Sequence, residues 1–366
     1  MRPEIIQGEV REVLKTLDDE SVQCVVTSPP YWGLRDYGNP PLLWGGDPKC
    51  NHEFGEEFLG DTRDNNIGKK RWNHTYGQEE ISPHIDVSQG RYCKKCGAWE
   101  GNLGLEPSPE QFTKNIVEIF REVKRVLRKD GTVWLNLGDS YAGTGYKGEN
   151  TNPKHKDTNV KRLKNKDLVG VPWRAAFALQ ADGWYLRSDI IWQKPNPMPE
   201  SVKDRPTKSH EHIFLLTKSN KYFYDNDAIR EPVSEASLKR AEHSWDCDRP
   251  STKNAAMGGK GIHTEKMGKR FVDPKGRNKR DVWSINVQPY KEAHFATFPE
   301  ELPETCIKAG TKKGDVVLDI FAGSGTTLRV ASKLGRKGIG IEINKEYLEI
   351  ARKRCKLENE SLASYL

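Results

Sequence analysis

Leu318-Asp319-Ile320-Phe321-Ala322-Gly323-Ser324-Gly325-Thr326-Thr327 decides the fold of this 366-residue chain. With Val316 and Val317 before it, the stretch reads as a buried strand over 316–320, a glycine loop, and a helix over 326–334. Gly323 and Gly325 permit a sharp turn and a close backbone approach, and the helix N-terminus offers free N–H groups. Glu342 closes the next apolar run, 337–343, about twenty residues on, the spacing of a carboxylate that holds ribose hydroxyls. The pattern points to a nucleoside cofactor. Neither the Walker lysine nor the G-x-G-x-x-G spacing is met, which argues against ATP and NAD.

Outward from this loop the chain alternates strands and helices. Helices are expected over 299–309 and 345–356, and an amphipathic one carries Val10, Val13, Leu14 and Leu17. Ser108-Pro109 supplies an N-cap with proline at the first helical position, and Phe112, Ile116, Ile119, Phe120, Val123 and Leu127 share one face. Asp130-Gly131 is read as the turn into a strand over 132–137. A helix over 172–181 and strands over 188–192 and 211–216 follow. The fold class expected is α/β, a mostly parallel, Rossmann-like sheet covered on both faces.

A second stretch, Thr27-Ser28-Pro29-Pro30-Tyr31-Trp32, leaves the short apolar strand 24–26. Two prolines fix φ twice and remove two N–H donors, so the chain exits the sheet stiff and extended. The carbonyls of Ser28 and Pro29 then lack a ladder partner, beside the flat faces of Tyr31 and Trp32. Acceptors next to aromatic surfaces suit a planar heterocycle that carries an amino group. Taken alone, the stretch reads first as a proline-rich strand exit with two core aromatics.

Together, Asp-x-Phe-x-Gly-Ser-Gly-Thr-Thr and Ser-Pro-Pro-Tyr resemble the S-adenosylmethionine-dependent amino-methyltransferases of DNA. These enzymes methylate N4 of cytosine or N6 of adenine. The motif order, with a basic segment between, is similar to the circularly permuted β group. The match covers 1–38, 105–217 and 289–366, which the resemblance assigns to one discontinuous catalytic domain. It implies Ser28, Pro29, Pro30 and Tyr31 as catalytic residues acting on a flipped-out base in double-stranded DNA. It places the cofactor against Asp319, Phe321, Gly323, Ser324, Gly325 and Thr326, with Glu342 on the ribose and Phe298, from the segment 294–299, completing the pocket. Trp32, Trp192, Lys194 and Asn196 fall on the target-base side. Ser28 in the first motif position is typical of the cytosine-N4 enzymes, so that base is expected, with adenine N6 as the alternative. RNA or protein-glutamine methylation and a catalytically dead DNA binder are more remote readings. A restriction endonuclease is the partner such an enzyme implies, though neither it nor a recognition sequence can be read from the chain.

Residues 39–104 and 218–288 are polar and rich in turn residues, and both are read as inserts. The first contains Cys50-Asn51-His52 and Cys93-Lys94-Lys95-Cys96-Gly97, a Cys-x-His and a Cys-x-x-Cys that together supply four zinc ligands. A structural metal would explain how so apolar-poor a segment folds. His74 or His84 could replace His52, and a redox pair or unliganded cysteines are the other readings. The second insert, with Trp245, Phe271 and Trp283 among basic residues, is expected to face DNA and select the target. Lysines between 141 and 166 form either a solvated run or a flap over phosphates. A net charge of +7 favours a polyanionic partner, and a mean hydropathy of -0.79 fits a core diluted by such segments. Seven unevenly spaced cysteines and the lack of a bilayer-length apolar run point to a reducing cytoplasm and no membrane.

Overall fold

Every residue of Val22–Thr27 is buried, because this strand lies inside a sheet covered on both faces. The computed structural model describes residues 2–34, 36–57, 59–61, 86–142, 163–164, 166–233, 235, 273, 275–288 and 299–356. In chain order the elements are β1 (Glu4–Gln7), α1 (Val10–Lys15), β2 (Val22–Thr27), β3 (Leu42–Trp44), β4 (Leu59–Asp61), β5 (Asp86–Ser88), β6 (Arg91–Tyr92) and β7 (Trp99–Gly101). Next come α2 (Pro109–Val126), β8 (Leu127–Leu137), α3 (Val171–Ala181), β9 (Tyr185–Gln193), β10 (His210–Thr217) and β11 (Val282–Ser284). The chain then forms α4 (Glu301–Gly310), β12 (Val316–Asp319), α5 (Thr326–Lys333), β13 (Lys337–Glu342) and α6 (Lys345–Arg354).

The main sheet has the order β1-β13-β12-β2-β8-β10-β9-β11. Among its described strands, only β10 runs against the others, pairing antiparallel with β8 and β9. The α/β fold with a mostly parallel sheet is therefore as expected. Its decisive feature is the parallel pairing of β12 with β2, Val317 opposite Cys24 and Leu318 opposite Val25. The order reverses between these strands, so both motifs leave the sheet side by side at its carboxyl edge, where open α/β sheets bind ligands.

Ser108 caps α2 as expected, its hydroxyl accepting from Gln111 N at 3.2 Å. The helix buries Phe112, Ile116, Ile119, Phe120, Val123 and Val126 completely. Leu127, expected on the helix, instead opens β8, which continues through Asp130-Gly131. Val22 pairs with Leu127 but Cys24 with Thr132, so the extra residues of β8 form an irregularity where a turn was expected.

The chain divides into two compact units, Tyr224–Arg280 and the remainder. The first insert belongs with the catalytic sheet, since Trp44 and Trp99 join its apolar cluster. Residues 281–288, expected in the DNA-facing insert, also belong with the sheet: Val282–Ser284 pairs parallel with β9, and Trp283 is buried. Within the Tyr224–Arg280 unit, Arg277 and Arg280 both pair with Glu231. Among the described residues no helix is long and apolar enough to cross a membrane. Phe298, His74, His84, Trp245, Phe271 and most of the lysine-rich segment lie outside the described residues.

Candidate active site

Thr27 and Asp319, at the ends of neighbouring parallel strands, are joined side chain to side chain. The Thr27 hydroxyl donates to Asp319 Oδ1 at 2.8 Å, and the Thr327 hydroxyl donates to Oδ2 at 2.7 Å. Phe321 N also donates to Oδ1, at 3.1 Å. Asp319 is 1% exposed, and burial pushes its carboxyl up to about 6 against the pull of these donors. It does not line the cavity beyond the strand ends. Its carboxylate accepts from both motifs and holds them together.

The cavity has a volume of about 630 Å³, within the usual range for a small-molecule site. Phe321, Gly323, Ser324, Thr326 and Glu342 line one side of it. Gly323 and Gly325 take φ of +50° and +76°, left-handed values that favour glycine. Gly325 caps α5 with its own left-handed backbone and lies beneath the loop, outside the cavity lining. Glu342 accepts from Gly323 N and Asn344 N, both at 2.8 Å, so it sets the loop's shape as well as facing the cavity. Burial raises its pKa. The Arg354 guanidinium on α6, not singled out in the sequence, donates to Ser324 Oγ at 2.8 Å and Thr326 Oγ1 at 2.7 Å.

Ser28, Pro29, Pro30 and Tyr31 line the same cavity. The Ser28 hydroxyl donates to the Tyr31 hydroxyl at 3.1 Å, which donates to Glu211 Oε2 at 2.6 Å. Asn136 Nδ2 reaches Tyr31 Oη at 2.5 Å and Glu211 Oε2 at 2.8 Å, and Lys194 Nζ pairs with Glu211 Oε1. Burial works against the Glu211 charge, yet Lys194, Tyr31 and Asn136 hold its pKa below the ordinary value. Burial and then Glu211 push the Tyr31 phenol well above its own. Asn136 Oδ1 is buried with no partner among the described residues. A Cβ on Gly138 would meet Tyr31 Cε2 at 2.6 Å, so glycine makes room for the ring.

Asn136 and Glu211 escaped the sequence reading because each adjoins an apolar run, Val133 to Leu135 in β8 and Ile213 to Leu216 in β10. A polar residue in Val133-Trp134-Leu135-Asn136-Leu137 and an acid opening Glu211-His212-Ile213-Phe214 were the available signals.

Trp32, next to Tyr31, turns into the core and is absent from the cavity lining. It is 6% exposed, packs in the core, and donates Nε1 to Glu106 O at 2.8 Å. Trp192 and Asn196 do line the cavity, Trp192 with Lys194 Nζ 4.5 Å from its ring centroid. Asn196 is held on Val287 by two hydrogen bonds, at 3.1 and 2.8 Å.

Below Trp32, Glu106 is fully buried and accepts from Gly104 N and Asn115 Nδ2; burial pushes its carboxyl up to about 8. A carboxyl raised in the folded state stabilises most below its unfolded pKa and loses that stabilisation as pH rises toward 8. Unfolding free energy should therefore fall by up to about 1.4 kcal/mol per pH unit from this group. In denaturant titrations from pH 6 to 8, Glu106→Gln is expected to gain on the parent by that slope. A constant difference would contradict it.

In the first insert the ligand atoms of Cys50, His52, Cys93 and Cys96 lie within 4.8 Å of one another. Cys50 Sγ is 3.9 Å from Cys93 Sγ, and Cys96 Sγ is 3.4 Å from His52 Nδ1. Tetrahedral zinc with bonds of about 2.3 Å to sulfur sets ligand atoms about 3.8 Å apart, so this donor set fits the ion. Gly97, at φ +74°, makes the turn after Cys96. Although desolvation raises it, the Cys93 thiol is brought down to about 5 by N–H donors, Cys96 N first, and by His52.

Residues 22–353 match the family model described as DNA methylase, of the N6/N4 type. The type II methyltransferase M.SmaI of Serratia marcescens is 39% identical over 96% of this chain and 89% of its own length. M.Cfr9I of Citrobacter freundii is 40% identical over 98% and 89%. Among solved structures, the cytosine-N4-specific PvuII DNA methyltransferase aligns with a TM-score of 0.56 at 17% identity, over 99% of this chain and 89% of that one. A Thermus thermophilus chain solved with S-adenosyl-L-methionine aligns at 0.50 with 20% identity, over 97% and 93%. This chain belongs to the N6/N4 DNA methylase family and is a DNA methyltransferase.

Proposed function

We propose that this enzyme transfers a methyl group from S-adenosylmethionine to the exocyclic N4 amine of cytosine, on a base turned out of double-stranded DNA. The observation that carries this reading is the ordered chain Ser28 to Tyr31 to Glu211 in the cavity that the glycine loop also lines. When bound, S-adenosylmethionine supplies an electrophilic methyl group on a sulfonium. Phe321, Gly323, Ser324, Thr326 and Glu342 would hold it, and Asp319 would act from behind by fixing the loop.

A base amine shares its lone pair with the ring and is a poor nucleophile. Acceptors for its two protons favour a pyramidal nitrogen, and Ser28 Oγ and the Pro29 carbonyl are the acceptors assigned. A serine hydroxyl is a weak acceptor by itself. Here its own proton points to Tyr31, whose proton points to the Glu211 carboxylate, so each bond polarises the next and enriches the Ser28 oxygen. Asn136 Oδ1, an acceptor without a partner among the described residues, adds to a wall that wants N–H donors. Pro30 stiffens the strand exit, and Tyr31 also offers a ring to the base. Trp192, Lys194 and Asn196 are assigned to the target side. The methylated nitrogen sheds its extra proton to solvent, and rate comes mainly from positioning.

Cytosine is chosen over adenine because Ser28 stands where the resemblance puts serine in N4 enzymes; the PvuII enzyme, which shares the fold, is itself cytosine-N4-specific. Zinc held by Cys50, His52, Cys93 and Cys96 would be structural, since all four positions are filled by protein. Residues 224–280 are assigned to target recognition, and a restriction endonuclease acting in the same cytoplasm is the expected partner. Transfer of labelled methyl from the cofactor to duplex DNA of mixed sequence tests the reading. Label in RNA or protein but not in DNA would overturn it.

A further inference from the structure

The first insert supplies more than a metal cluster: its base is a wall of the active-site cavity. We propose that a zinc ion at Cys50, His52, Cys93 and Cys96 sets the affinity for S-adenosylmethionine by holding this wall in place. The inference rests on the zinc and cofactor readings above.

The metal ligands come from two chain segments, Cys50 and His52 after β3, and Cys93 and Cys96 between β6 and β7. β3 and β7 pair antiparallel, Leu42 opposite Gly101 and Trp44 opposite Trp99. One end of this ribbon meets the ligands: a Cβ on Gly46 would meet Ala98 Cβ at 2.5 Å and Cys96 Sγ at 2.9 Å. Its other end meets the cavity through Asn39, Leu42, Asn102 and Leu103, and Trp44 lines the cavity too.

The ribbon is also tied to the carboxylate expected on the ribose. Asn102 Nδ2 donates to Asn39 O at 2.8 Å, and Asn344 Nδ2 donates to Asn39 Oδ1 at 3.2 Å and to Tyr37 O at 3.3 Å. Asn344 N in turn donates to Glu342 Oε1 at 2.8 Å. A continuous set of bonds thus runs from the base of the insert to the glycine loop.

Among the described residues, the two ligand-bearing segments are also joined by backbone hydrogen bonds, Gly55 N to Tyr92 O at 2.9 Å and Lys94 N to Glu53 O at 2.7 Å. β3 and β7 have three residues each and β6 has two, too short a sheet to be stable alone. On the inner side, Arg11 lies over the Trp44 ring at 3.9 Å and donates to Leu43 O at 2.9 Å. Those contacts secure Trp44 at the base of the ribbon, while short backbone pairings join the segments that carry the ligands. A metal joining Cys50 to Cys93 adds a cross-link over a 43-residue separation.

The test uses the full-length protein as purified. Elemental mass spectrometry is expected to find one zinc per chain. Chelation should raise the S-adenosylmethionine Kd, read by isothermal titration, at least tenfold, and added zinc should restore it. Hydrogen exchange should quicken in 39–57 and 91–105 while β2 and β12 keep their protection. Cys93→Ser should reproduce the weaker binding without rescue by zinc. A Kd unchanged within twofold after complete zinc loss would overturn the coupling and leave the metal site standing. A protein that carries no metal and gains none from added zinc would overturn the site itself. Lost protection in β2 and β12 would mean the metal supports the whole fold, contradicting the role assigned to the wall.

Discussion

Glu211→Gln is expected to lower kcat about 10- to 100-fold while leaving the affinity for S-adenosylmethionine within about twofold. The substitution keeps the shape and removes the charge that anchors Tyr31, Asn136 and Lys194. Charge-assisted hydrogen bonds contribute about 1.5–3 kcal/mol each, and about 1.4 kcal/mol is tenfold in rate. The effect should fall on kcat because Glu211 acts on the amine acceptor through Tyr31 and Ser28, its bonded chain, rather than through the residues assigned to the cofactor. Tyr31→Phe severs the same chain one step nearer, so the double variant should be little worse than either single one. Ser28→Ala, which removes the acceptor oxygen, should set the ceiling of the loss. Fully additive losses for Glu211→Gln and Tyr31→Phe in steady-state kinetics would show that they act separately.

Asp319→Ala is expected to be the most damaging change on the cofactor side, through stability before chemistry. It removes the acceptor for Thr27, Thr327 and Phe321 N and leaves two buried hydroxyls without it. Relief of the buried carboxyl offsets part of this, leaving a loss on the order of 2–4 kcal/mol. Asp319→Asn still offers Oδ1 to Thr27 and Phe321, and the Thr327 hydroxyl can rotate to accept from the new amide, so about 1 kcal/mol is expected. Thermal unfolding and cofactor titration on both variants separate the roles. A side chain that only touched the cofactor would leave both variants as stable as the parent.

The two motifs and the sheet they leave were legible because each follows a short apolar strand and carries glycine or proline punctuation. Their meeting was legible only through resemblance. Nothing near Thr27 announces a hydrogen bond to a residue 292 positions away. The inward turn of Asp319 and Trp32 was not legible for one reason: a motif fixes which residues occur at a strand end, but not which way a side chain turns. The tight exit after β12 turns the Asp319 carboxylate back onto its own backbone, and Glu106 draws the Trp32 indole inward. Glu211 was passed over because its partners Tyr31, Asn136 and Lys194 come from three other segments, so its charge gains meaning only after β10 inserts between β8 and β9. β11 was hidden because three residues with one buried tryptophan cannot stand out in a polar, basic stretch. The four candidate metal ligands stood out by spacing, because Cys-x-His and Cys-x-x-Cys are each local patterns; that the two pairs meet was not legible.

The most direct measurement is the identity of the methylated base. Duplex DNA of mixed sequence is incubated with the enzyme and labelled S-adenosylmethionine, digested to nucleosides and resolved by mass spectrometry. Labelled N4-methylcytosine, lost with Ser28→Ala, is the expected product. Labelled N6-methyladenine in its place would contradict the assignment of the base, and full labelling by the Ser28→Ala variant would contradict the role of the acceptor wall.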